Sequence, residues 1–87
     1  MKVRDGLILR QVADATIATP AGKASLDLNV MVTLNETGAF LWRMLENDVS
    51  EQELVEALLK EYSVDENTAR AGVSRFIAKL TDEGLIV

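Results

Sequence analysis

Carboxylates are the commonest reactive side chains here, and they crowd one stretch: Glu51/Glu53 and Glu56/Glu61 are close pairs. Such pairs perform general acid–base chemistry when a buried cleft drives their pKa values apart. Nothing in the surrounding pattern supplies a cleft; Glu53 is placed to cap a helix, and the others suit a solvated face. Asn47-Asp48 and Asp65-Glu66-Asn67 adjoin helix starts and are too sparse for an oxygen-only metal loop. Gly38 and Gly72 are isolated and lack phosphate-loop spacing. With no histidine and no cysteine, the chain has no triad-type base, no thiolate nucleophile, no zinc-thiolate site and no disulfide. No enzyme activity and no cofactor are expected of it.

Recognition chemistry is better represented. Arg70, Arg75 and Lys79 fall on the last helical stretch, as the bases of a DNA-reading helix would. Arg70 and Arg75 are about 140° apart on a helical wheel, so they form no single basic stripe. On the same helix Ala71, Ser74 and Ala78 repeat at i, i+3 and i+7, read here as lying beside the core face. Such a stripe either packs against the protein's own elements or floors a shallow groove flanked by Arg70 and Arg75. A strand edge next to that groove would dock an extended peptide. Its cationic flanks would favour an acidic one.

The elements that must position these residues divide near Leu34. Leu7–Val12 and Thr16–Thr19 are β-prone, joined by a tight turn at Ala13-Asp14; Pro20 stops the second. Leu26, Leu28, Val30, Val32 and Leu34 then alternate with polar neighbours, the period-two signature of a half-buried strand. Beyond Leu34 the period is helical. Asn35 is an N-cap for a helix running to about Glu46, with Trp42 at the edge of its apolar face. Ser50-Glu51-Gln52-Glu53 is a capping box, and Val49 with Leu54 can form its hydrophobic staple. Asp65 caps a third helix that ends where Gly84 supplies a left-handed residue. The predicted fold is α+β: a three-stranded antiparallel sheet followed by three helices (βββααα), winged-helix-like, in one domain spanning 1–87.

Charge narrows the partners. The chain carries a net charge of −5, with nine acids against Arg43 and Lys60 within 36–66. An acidic surface disfavours non-specific phosphate-backbone binding. No apolar run is long enough to span a membrane, and the first five residues lack a signal-peptide core. A cytoplasmic protein that binds neither membrane nor nucleic acid is expected.

One stretch has a recognisable likeness. Val32-Thr33-Leu34-Asn35-Glu36-Thr37-Gly38-Ala39-Phe40-Leu41-Trp42 resembles the "LNxTGAxxW" helix entry of the coenzyme PQQ synthesis protein D (PqqD) family. Leu54–Leu58 and Tyr62-Ser63-Val64-Asp65 resemble that family's second helix and "Y-x-V-D" turn. Val73–Leu80 followed by Gly84-Leu85-Ile86 resembles its "DVxxFLxxLxxxGLL" ending, and Leu7–Val12 and Thr16–Pro20 fit its strands. Gly72 departs from the pattern, standing where the family usually has Asp.

The resemblance implies a RiPP recognition element, a non-catalytic peptide chaperone for natural product biosynthesis. Such domains capture the leader of a ribosomally made precursor as an added strand and present it to a maturase, often a radical SAM enzyme. By position, the pairing edge would be Asp27, Leu28, Asn29, Val30, Met31, Val32 and Thr33. The helix side would be Arg70, Ala71, Ser74, Arg75 and Ala78. Two rivals remain at this point: a winged-helix DNA-binding regulator, and a structural module that forms a homodimer through the same strand edge.

Overall fold

The computed structural model describes residues 1–22 and 31–87. Strands β1 (Leu7–Val12) and β2 (Ala15–Pro20) form an antiparallel hairpin. Its two-residue turn places Ala13 at φ 54°, a left-handed conformation that alanine adopts at a cost. Strand β3 (Val32–Leu34) pairs antiparallel with β2, giving the order β1-β2-β3. Helices α1 (Glu36–Met44), α2 (Glu51–Glu61) and α3 (Glu66–Asp82) follow. The α+β, βββααα architecture expected from the sequence is the one observed. Of the expected third strand, Asp27, Leu28, Asn29 and Val30 lie outside the described residues; Met31 is exposed, and the described strand is its last three residues.

Register explains which side of the sheet is covered. Directly paired residues project to the same face. The row Leu9–Ala18–Val32 therefore faces the helices, and Ala18 and Val32 are buried. The row Arg10–Ile17–Thr33 faces away, and Arg10 and Thr33 are exposed.

Each helix starts where its sequence says it should. The Asn35 carboxamide oxygen accepts from the Gly38 N–H at 2.7 Å, and the Asp65 carboxylate accepts from the Thr68 N–H at 2.6 Å. Ser50 and Glu53 complete both bonds of the capping box, at 3.1 and 2.9 Å. At the end of α3, Gly84 takes φ 72°. The Gly84 N–H donates to Thr81 and the Leu85 N–H to Leu80, a Schellman arrangement that satisfies carbonyls the helix leaves open. Leu85 folds back and is fully buried.

The core gathers Leu41 and Trp42 of α1 with its C-cap Leu45, Leu54, Val55 and Leu58 of α2, and Ala69, Val73 and Leu80 of α3. Trp42 is completely buried, where the wheel put it at a helix edge. A second difference concerns the N-terminus. Val3 forms an antiparallel bridge with Ile86 and donates its N–H to the Leu45 carbonyl at 2.9 Å. The Met1 ammonium reaches Asp48 at 2.7 Å and the Val49 carbonyl at 2.9 Å. The first residues thus tie the C-terminal tail to the α1–α2 turn. A four-residue segment has no periodicity to read, so this long-range contact leaves no mark in the sequence.

No helix among the described residues is long and apolar enough to cross a membrane.

Candidate functional site

Strand β3 is terminal in the sheet, and among the described residues no strand pairs with its outer edge. An edge strand presents unpaired N–H and C=O groups to any chain that can lie beside it. Beside this edge lies a small depression of about 130 Å³, with Thr33 and Leu34 on one side and Phe76 and Lys79 of α3 on the other. It shares Asn35, Gly38, Phe76 and Lys79 with a larger groove of about 440 Å³. That groove runs between the helices. Thr37, Gly38 and Leu41 of α1 form one wall, Leu58, Tyr62 and Val64 close the far end, and α3 supplies the floor.

The α3 floor follows from helical spacing. Thr68, Gly72, Arg75 and Lys79 recur at i, i+4, i+7 and i+11, one continuous row, with Ala69 and Phe76 on its core side. Gly38 lets α1 come close to that row: a β-carbon there would stand 3.4 Å from the Phe76 ring and 3.1 Å from the Asn35 oxygen. At the far end the Phe40 and Tyr62 rings meet edge to face, centroids 5.6 Å apart at 88°. This geometry holds Tyr62 at the groove wall. Burial, aided by the charges of Glu36 and Glu61, raises the Tyr62 phenol above its usual pKa, so it stays a neutral donor and acceptor.

The electrostatics are one-sided. Among the described residues Arg75 and Lys79 are the charged groups lining the groove, and no described carboxylate joins them. Neither forms an ion pair among the described residues. Arg70 is different: its guanidinium bonds Glu66 at 2.8 Å, one turn back on the exposed flank of α3.

The residues expected at the site are therefore distributed unevenly. Thr33 and Arg75 line the two depressions, from opposite sides of the junction between β3 and α3. Val32 is buried beneath the edge and Met31 stands exposed at 70% beside it. Ala71, Ser74 and Ala78 are exposed and line neither depression. The wheel reading set their stripe beside the core; at 100° per residue it lies roughly 150° from the Ala69–Val73–Phe76–Leu80 axis. Lys79, Phe76, Gly72, Thr68, Tyr62 and Val64 line the groove and are not among the residues expected at the site from sequence. The available signal on α3 was the i, i+4, i+7, i+11 row itself, of which Arg75 alone was expected at the site, Lys79 reading as solvated surface and Phe76 beside the row as core.

Among the described residues no three His, Cys, Asp or Glu side chains converge to hold a metal ion. Fold and site together define a small winged-helix-like α+β domain in which, among the described residues, the outer edge of β3 has no partner strand and the two groove cations have no ion pair.

The chain belongs to the family of coenzyme PQQ synthesis protein D, PqqD, whose model matches residues 22–86. No curated protein sequence matches it significantly. Two solved structures share its fold. One is TbiB1 in complex with the TbiA(beta) leader peptide: TM-score 0.74, 25% identity, 98% of this chain and 93% of that chain covered. The other is a lasso peptide synthetase B1 complexed with the leader peptide: TM-score 0.71, 18% identity, 97% of this chain and 93% of that chain covered.

Proposed function

We propose that this protein is a non-catalytic peptide-binding chaperone, a RiPP recognition element that captures the leader of a ribosomally made precursor and presents it to a modifying enzyme. One observation carries the reading: the free edge of β3 opens directly onto a groove whose other side is α3. A leader laid along β3 gains main-chain hydrogen bonds from the strand, and its side chains on one face reach the groove. Arg75 and Lys79 select for acidic residues at that point. Membership of the PqqD family and the likeness to two leader-bound proteins support the same assignment.

The peptide-binding edge comprises Met31, Val32 and Thr33; Asp27–Val30, also expected at the site, lie outside the described residues. On α3 the residues that meet the peptide are Gly72, Arg75, Phe76 and Lys79; Arg70, Ala71, Ser74 and Ala78 remain on the outer flank. The whole chain, 1–87, acts as one domain in the cytoplasm. The partner enzyme is a RiPP maturase, of the radical SAM class or another. Binding the leader here raises the effective concentration of the core peptide at that enzyme. A DNA-reading role finds no support in the comparisons, and on α3 the Arg70 guanidinium is engaged by Glu66.

The test is titration of the purified protein with a synthetic leader from the precursor encoded beside its gene. Saturable binding is expected, and Met31→Pro should abolish it while circular dichroism stays unchanged. A variant that folds and binds the leader as the wild type does would remove the β3 edge from the site. Binding to duplex DNA that falls steeply with salt would favour the regulator instead.

A further inference from the structure

Gly72 sits in the middle of the α3 row that floors the groove, one turn after Thr68 and one turn before Arg75 and Phe76. Glycine is the least favourable residue, proline aside, in a helix interior. Packing among the described residues does not ask for it: a β-carbon built at Gly72 would meet none of their atoms within 4 Å. Gly38 is the contrast, since Phe76 and Asn35 stand where its side chain would be. The space in front of Gly72 belongs to the groove that Tyr62, Leu58, Arg75 and Lys79 also line, and neither cation forms an ion pair among the described residues.

We infer that Gly72 is a specificity-determining residue of the peptide site. Its absent side chain makes room for one large apolar side chain of an acidic peptide, whose carboxylates lie against Arg75 and Lys79. This inference rests on the peptide-binding reading above. It goes further in assigning the size selectivity of the groove to one position and in stating the chemistry of the segment that fits there. It also accounts for a helix-weakening residue standing where no contact among the described residues needs it.

The experiment separates the two claims. Wild-type protein is used to pan a displayed library of random peptides, and the enriched sequences are synthesised as fluorescein-labelled probes. Binding is measured by anisotropy for wild type, Gly72→Ala, Gly72→Leu and Met31→Pro, with thermal melts of each. The enriched peptides should be acidic and carry a large apolar residue. Gly72→Ala should melt roughly 4–8 °C higher, as a better helix former in open space, yet bind more weakly. Gly72→Leu should bind roughly tenfold more weakly or worse. Probes whose apolar residue is replaced by alanine should lose this discrimination. Equal affinity of wild type and both Gly72 variants for probes that Met31→Pro still rejects would overturn the role of Gly72 and leave the peptide site standing. Enrichment of peptides lacking a large apolar residue would overturn it too. If wild type enriches no peptide, the peptide-binding reading falls, and this inference with it. Should Gly72→Leu fail to fold, Gly72→Ala carries the comparison, since its methyl group meets nothing.

Discussion

Gly38 and Phe76 pack so closely that a single β-carbon on Gly38 would stand 3.4 Å from the Phe76 ring and 3.1 Å from the capping oxygen of Asn35. The start of α1 and the middle of α3 are therefore fitted to each other at the place where the two depressions join. The Asn35 oxygen cannot yield freely, because it holds the Gly38 N–H at 2.7 Å. Gly38→Ala should destabilise the protein by about 0.5–1 kcal/mol through a strained cap and a displaced ring. Chemical denaturation gives the difference. A variant more stable than wild type would mean that the ring and cap relax without cost.

Charge at the groove should govern affinity more than stability. Arg75→Glu and Lys79→Glu each replace a cation with a carboxylate, and among the described residues neither change breaks an ion pair. Each should weaken an acidic leader roughly tenfold at low salt, and the loss should shrink as salt rises. Arg70→Glu is the control: it breaks only the exposed Glu66 pair, so affinity should barely change. Calorimetric titration at two ionic strengths reads all three. Equal effects at Arg70 and Arg75 would mean that only the overall charge matters.

The β1–β2 turn holds a reserve of stability. Ala13 is at φ 54°, a region open to glycine without steric cost. Ala13→Gly should stabilise by about 0.5–1 kcal/mol, the relief outweighing the added freedom of the unfolded chain. A rise in the thermal midpoint with unchanged leader affinity is the expected outcome; a fall would place the strain elsewhere.

Acid should loosen the molecule at two carboxylates. The hydrogen bond and charge of the N-terminal ammonium hold Asp48 below its ordinary pKa, and the Thr68 N–H holds Asp65 below its own. A depressed folded pKa means that the unfolded chain binds the proton more readily. The stability these groups add is therefore present above the ordinary carboxylate value and drains away as pH falls through the lowered one. Urea midpoints followed from about pH 6 down to about pH 2 should decline. In an Asp48→Asn, Asp65→Asn double variant the decline should be shallower; an unchanged slope would shift the acid sensitivity to other carboxylates.

Much of this protein was written locally. The β1–β2 turn, three N-caps, the capping box and the Gly84 terminus all follow from local backbone preference and from side chains that reach backbone groups a few residues away, and such short-range geometry is readable residue by residue. Likewise the missing histidine and cysteine removed whole classes of chemistry before any fold was known. What only the tertiary structure decided was which face of α3 looks onto the groove. A helical wheel gives angles within one helix, but not where its neighbours stand. The row Thr68–Gly72–Arg75–Lys79 became a floor because α1 approaches through Gly38, while Ala71, Ser74 and Ala78, just as periodic, were left facing water. The same holds for Met1–Arg4: its bonds to the C-terminal tail and the α1–α2 turn join residues more than forty positions apart, and only the folded chain brings them together.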